Sequence, residues 1–222
     1  MISSYLSIAG LDCPVSLIES KIELIQTYLA QHGSGVTAPH RYYVPELGEG
    51  GSCSLFGHLQ AEPFELSTVV NISDSHNIKC LNALQAIVDC VVKESQVDWF
   101  GIYQKVTHDA QEQLVKLAYF GAESRACFPL NETFSALSNN VKVGLSKRAR
   151  VINNIPVYLT EGGEYYTCDP KVLAESCLPL LSDDNQLLGI IDAEAFKLDF
   201  FDDENLALLI AACLVIPKYL LN

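Results

Sequence analysis

Apolar residues recur at helical spacing in four stretches of this chain and crowd at strand-like density in several others. Leu17, Ile18, Ile22, Ile25 and Leu29 share one face, which predicts a helix over residues 14–32. Pro14 suits an early helical position, Gly33 marks the end, and Asp12 is a candidate cap. From 33 to 77 the periodicity weakens under repeated glycines and prolines, leaving room for short strands near 41–44 and 65–71. Ile78, Leu81, Leu84, Val88, Val91 and Val92 then line one face of a helix running to about Ser95. Residues 97–103 and 114–120 read as strands joined through a polar turn at His108-Asp109. The stripe Phe134, Leu137, Val141 and Leu145 predicts another helix, and the basic cluster Lys147, Arg148 and Arg150 fits its C-terminus, where cations meet the negative end of the dipole. Val151-Ile152 is a short strand, and 161–169 is a loop. Two apolar runs, 176–181 and 187–194, flank a polar turn and give the strongest hairpin signal. A last helix, capped by Asp202 or Asp203, turns Leu206, Leu209, Ile210, Cys213 and Leu214 inward until Pro217 disturbs it.

This order predicts an α+β fold, an antiparallel sheet flanked by helices. Residues 1–75 form an N-terminal helix and irregular extension, and 76–222 form the principal domain. Composition narrows the function. With 14 Lys+Arg against 27 Asp+Glu the net charge is −13, so a phosphate backbone is an unfavourable partner. Half the chain is apolar (49%), too much for disorder. Uninterrupted apolar runs fall far short of the ~20 residues that span a bilayer, so no membrane partner is expected. Met1-Ile2-Ser3-Ser4-Tyr5 lacks the basic and apolar regions of a secretory signal, which points to the cytoplasm.

Eight cysteines, at 13, 53, 80, 90, 127, 168, 177 and 213, form no C-x-x-C pair. No structural zinc and no cofactor is expected. Cys80, Cys90, Cys177 and Cys213 fall on apolar faces and read as buried thiols. The glycines at 48, 50 and 51 do not make a dinucleotide fingerprint, because its third glycine would fall at Cys53.

Four segments resemble a GAF domain, specifically the free methionine-R-sulfoxide reductase branch, over roughly residues 78–216. Asp98-Trp99-Phe100-Gly101-Ile102-Tyr103 is similar to that branch's Asn-Trp-x-Gly-Phe-Tyr strand. Arg125-Ala126-Cys127-Phe128-Pro129-Leu130 resembles its Ala-Cys-x-x-Ile-Pro segment. Tyr166-Thr167-Cys168-Asp169 followed by Glu175-Ser176-Cys177-Leu178-Pro179-Leu180 resembles Ala-Cys-Asp then Ser-Glu-Ile-Val-x-Pro-Leu, with the same seven-residue step from Cys to Glu. Gly189-Ile190-Ile191-Asp192-Ala193-Glu194 is similar to Gly-Val-Leu-Asp-Ile-Asp. The chain departs from the pattern where the branch has Gly-Val-Cys-Gly; that third cysteine would fall near Asn139 or Asn140. The loop before Cys168 is also longer, and Glu194 stands in place of an aspartate.

The resemblance implies a thiol oxidoreductase that reduces free methionine sulfoxide. Cys168 is then the attacking thiol and Cys127 the resolving one, which condenses with the sulfenic acid to a disulfide. A thioredoxin-type dithiol would reduce that bond. Glu175, Asp192 and Glu194 would bind and protonate the substrate, with Asp169 beside them and Trp99 and Tyr103 as apolar wall. Crowded carboxylates raise one another's pKa values, so one can stay protonated and donate while another holds an ammonium group. In a strand, Asp192 and Glu194 are two apart and project from one face. A thiol among acids resists ionising, so Cys168 would need an offsetting influence. Blander readings stand beside these: the acids as the polar end of a hairpin, the aromatics as core. The alternative function is a non-catalytic small-molecule binding or sensor module that has lost turnover. Residues 1–75 read as a lid or a dimerisation element, which leaves a homodimer open.

Overall fold

The computed structural model describes residues 2–48, 54–165 and 169–222. Its centre is a long hairpin. Strands β5 (Trp99–His108) and β6 (Gln111–Phe120) are joined by Asp109 and Ala110, whose φ values of 49° and 60° match the tight turn that follows strand twist. Strand β7 (Cys127–Pro129) borders β6. On the other side β10 (Leu187–Ala195) pairs with β5, β9 (Ala174–Leu181) with β10, and β8 (Arg150–Ile152) with β9. The order β7-β6-β5-β10-β9-β8 is antiparallel throughout, so each strand offers alternate residues to the two faces.

One face is covered by helices α3 (Ser75–Ser95) and α7 (Asp203–Val215), with α2 (Val15–His32) packed against both. Phe100, Ile102, Leu178, Leu180, Ile191 and Ala193 meet them in the main core. Helix α7 buries Ala207 through Cys213, its alanines letting it sit close to the sheet, and Asp202 caps it by accepting from the Asn205 amide at 2.9 Å. Helix α1 (Ile2–Ala9), which the sequence pattern did not announce, buries Tyr5 and Ala9 and donates the Tyr5 hydroxyl to the Pro179 carbonyl at 2.9 Å. Tyr5, Ile18, Ile25 and Leu66 lie in the same cluster as α3 and α7. The first 75 residues therefore share the core of the rest.

Several expectations change. Asp12 does not cap α2; Pro14 holds the N-cap position and no side chain bonds there. Ile78 is 46% exposed because Asn77 takes the inward place, donating to the Asn71 carbonyl at 2.7 Å. The stripe at 134–145 breaks into α4 (Glu132–Ser135) and α5 (Asn139–Ser146), with Leu137 exposed between them and Ser138 capping α5. Lys147 closes α5 at φ 56°, but Arg150 belongs to β8 and not to the helix end. A short helix α6 (Ile155–Thr160) follows. In the extension, β1 (Arg41–Tyr42) pairs with β4 (Phe64–Glu65), and β2 (Pro45–Leu47) with β3 (Ser54–Leu59). The strand expected over 65–71 stops at Glu65, where the chain turns and buries Leu66. No helix among the described residues is long and apolar enough to cross a membrane.

Candidate functional site

The face of the sheet opposite α2, α3 and α7 carries the acids, and strand register puts them there. Glu194 lies opposite Glu175 on one side and Trp99 on the other, while Ile152 follows Glu175 in β8. The next row runs Arg150, Cys177, Asp192, Gly101. Gly101 leaves a gap that the Trp99 indole fills; a Cβ there would come within 2.3 Å of the ring. The result is a cavity of about 360 Å³ floored by Trp99, Tyr103, Glu175, Asp192 and Glu194 and rimmed by Asp169. The extension supplies part of its wall through Pro45, Leu55 and Leu59. Arg125 is the lone cation lining it among the described residues, against the acids Asp98, Glu123, Asp169, Glu175, Asp192 and Glu194.

Each floor acid has its own environment. Asn139 Nδ2 donates to Glu175 Oε1 at 3.0 Å, and the Tyr165 hydroxyl donates to the same carboxylate. Asn140 Nδ2 donates to Asp192 Oδ2 at 3.0 Å, while the buried Asp192 Oδ1 has no hydrogen-bond partner among the described residues. Burial raises all three pKa values. Asp192 is driven far above the carboxylate range by burial and then by the Glu175 charge, and Glu194 by burial and then by Asp192 and Glu175. Glu175 is raised too, but bonds from Tyr165 and Asn139 and the charge of Arg150 oppose the effect of burial. Asp192 and Glu194 can therefore hold protons at neutral pH where Glu175 is the better anion. Among the described residues no group of three or more His, Cys, Asp or Glu side chains is arranged to hold a metal ion.

The expected site residues divide into three groups. Trp99, Tyr103, Asp169, Glu175, Asp192 and Glu194 come together at the cavity. Cys168 lies outside the described residues; the nearest described neighbours in sequence, Tyr165 and Asp169, both line the cavity. Cys127 does not line it. Strand alternation points the side chain of its neighbour Phe128 into the cavity, and Cys127 packs instead beside Tyr42, Val44 and Ala126. Burial pushes its thiol up to about 11, although Arg125 and Lys116 pull the other way.

Sequence reasoning missed several contributors. Asn139 and Asn140 sit where the resemblance would have placed a cysteine, and each is a donor to a floor acid. Lys116, wholly buried in an apolar strand, donates to the Ser124 carbonyl at 2.9 Å and to Ser124 Oγ at 2.7 Å. Its ammonium lies 3.9 Å from the Tyr119 ring centre and 4.9 Å from that of Tyr42, and burial lowers its pKa to about 7. Trp99 Nε1 donates to the Ala122 carbonyl at 2.9 Å, so Lys116 and Trp99 together hold the 122–125 segment that borders the cavity. A lysine between apolar neighbours carries no signal in sequence that it turns inward.

No protein-family model matches the sequence, and no curated protein matches it. Among solved structures the chain is similar to a type II free methionine-R-sulfoxide reductase from Thermoplasma acidophilum. That likeness has a TM-score of 0.54 and 16% identity, covering 65% of this chain and 94% of that one. It is equally similar, at TM-score 0.54 and 10% identity, to the GAF domain of an Acinetobacter phosphoenolpyruvate-protein phosphotransferase, covering 90% of this chain and 92% of the other. The curled six-stranded antiparallel sheet, helices on one face and an acid-floored cavity on the other, gives this chain a GAF-like α+β fold.

Proposed function

We propose that the cavity binds a small free amino acid through its ammonium group, and that the ligand is methionine-R-sulfoxide, reduced by Cys168. The observation that carries this reading is the convergence of Glu175, Asp192 and Glu194 on one aromatic-walled cavity, with Asp192 Oδ1 left unpaired there. Ionised Glu175 would hold the ammonium group. A protonated Asp192 or Glu194 would donate to the sulfoxide oxygen, and Trp99 would pack against the S-methyl group. The sulfur–oxygen bond breaks as the Cys168 sulfur takes the oxygen; the substrate sulfur is reduced to the thioether and the cysteine is oxidised to a sulfenic acid. A second thiol then forms a disulfide with it and releases water, and a thioredoxin-type dithiol returns the enzyme to its reduced state. The position of Cys127 off the cavity favours direct resolution by that external thiol over an internal Cys127–Cys168 bond.

Incubation with free methionine-R-sulfoxide and a dithiol tests the reading. Methionine is expected from the wild type and not from Cys168→Ser, while Cys127→Ser retains turnover. A chain that binds the amino acid but releases no methionine is instead a sensor-type binding module, the other activity its fold supports. Absence of both binding and turnover would overturn both readings.

A further inference from the structure

Arg150 is the least explained charge near the cavity. Its position in β8 places it in the row of Cys177 and Asp192, yet it does not line the cavity. Among the described residues no carboxylate comes within ion-pair distance of it, in a chain with a net charge of −13. Its guanidinium is spent on neutral acceptors. Nη1 donates to Asn139 Oδ1, and Nη2 donates to the Tyr158 hydroxyl at 2.6 Å and to the Glu164 carbonyl at 2.6 Å. The Tyr158 ring lies beneath it at 5.2 Å, and Gly163 makes this knot feasible, because a Cβ there would come within 2.3 Å of that ring.

These contacts lead in two directions. Through Asn139 the guanidinium fixes which way the amide faces. With Oδ1 held by Arg150, Nδ2 must point at Glu175, where it donates at 3.0 Å. Through Glu164 it pins the loop that delivers Tyr165, the other donor to Glu175, and that continues towards Cys168 and Asp169. Both donors to Glu175 are thus oriented by one side chain, which adds its positive charge from the same side. Neither Asp192 nor Glu194 is supported by Arg150; Asp192 is bonded by the Asn140 side chain and the Ala193 amide instead.

We propose that Arg150 is a positioning residue that selects Glu175, out of the three floor acids, as the ionised one. The cavity floor then presents a single negative charge beside two neutral carboxyl donors, one anion for the ammonium group of a ligand, with Asp98, Glu123 and Asp169 as further acids of the lining. This inference deepens the amino-acid reading above and rests on it for the ligand, but not for the ionisation of Glu175. Among the described residues the charged and titratable groups that act on Glu175 are Arg150 and Tyr165 from the β8 and loop side, Asp192 and Glu194 from β10, and Cys177 on its own strand.

Carbon-13 carboxyl titrations of the full chain test it, with the Glu175 signal assigned through Glu175→Gln. In the wild type Glu175 is expected to ionise at the lowest pH of the three. In Arg150→Met its midpoint should rise by about one pH unit or more, a tenfold change in ionisation. Arg150→Lys keeps the charge but loses the planar bridge, and should fall between the two. Should Arg150→Met not fold, Arg150→Lys decides alone. Calorimetry with free L-methionine as probe should show weaker binding by Arg150→Met than by the wild type. An unchanged Glu175 midpoint in either folded variant overturns the role of Arg150, whatever the probe does. A shifted midpoint with no methionine binding by the wild type keeps that role and removes the amino-acid reading.

Discussion

Asp192→Asn is expected to stabilise the folded chain by about 1–3 kcal/mol at about pH 8 while lowering turnover. Asp192 is buried, takes one amide from Asn140, and leaves Oδ1 without a partner among the described residues. Its folded pKa lies far above that of an exposed aspartate because burial and the Glu175 charge both disfavour ionisation. Between those two values the native state keeps a proton that the unfolded chain has released. Stability therefore falls as pH rises through this window, by up to about 1.4 kcal/mol per pH unit for each such group. Asparagine fills the same space, accepts from Asn140, and has no charge to suppress. Urea unfolding at about pH 5 and about pH 8 reads the effect: the wild type should lose stability over that range and the variant should lose less. Equal pH slopes would mean that Asp192 is ionised in the native state.

A second large effect is expected at Lys116. Its ammonium is wholly buried, and its bonds go to neutral Ser124 atoms. The unfolded chain keeps this lysine charged up to its ordinary value of 10.5, whereas the folded chain releases the proton near 7. Below both values the two states are equally protonated and the native state carries the full desolvation cost. Stability due to this group rises with pH between about 7 and 10.5. Lys116→Met should therefore be more stable than the wild type by about 1–4 kcal/mol in acid solution, with the advantage shrinking towards about pH 10. Paired denaturation curves at the two ends of that range measure it. A variant less stable at low pH would show that the Ser124 bonds and the Tyr42 and Tyr119 rings outweigh desolvation.

Much of the sheet was legible because its signals are local. The hairpin turn at His108-Asp109, the alternation through Asp192 and Glu194 and the cap at Asp202 each depend on a few adjacent residues. Elements that depend on partners were not legible. β3 exists by pairing with β2, and α1 by docking Tyr5 against β9. α6 is six residues long, too short for a periodic stripe to declare it. The acid floor could be anticipated because Asp192 and Glu194 share a face and the Cys-to-Glu step resembles a known pattern. The groups that govern it could not: Asn139 and Asn140 are polar residues at the start of a helix, and Arg150 reads as one of three cations near a helix end. Their roles depend on the meeting of α5, β8 and β9, which no single stretch of chain encodes. Cys127 is the instructive case. Its resemblance to a resolving thiol concerns sequence alone, and one step of strand alternation against Phe128 turns it away from the cavity.

Recognition of a free ammonium group by the acid floor is what binding of a free amino acid here requires. Calorimetric titration of the wild-type chain with free L-methionine-R-sulfoxide and with its N-acetylated form, at neutral pH, addresses that claim directly. The free amino acid should bind and the acetylated one, which has the same sulfoxide but no positive charge, should not. Equal binding of the two, or of neither, would contradict the account.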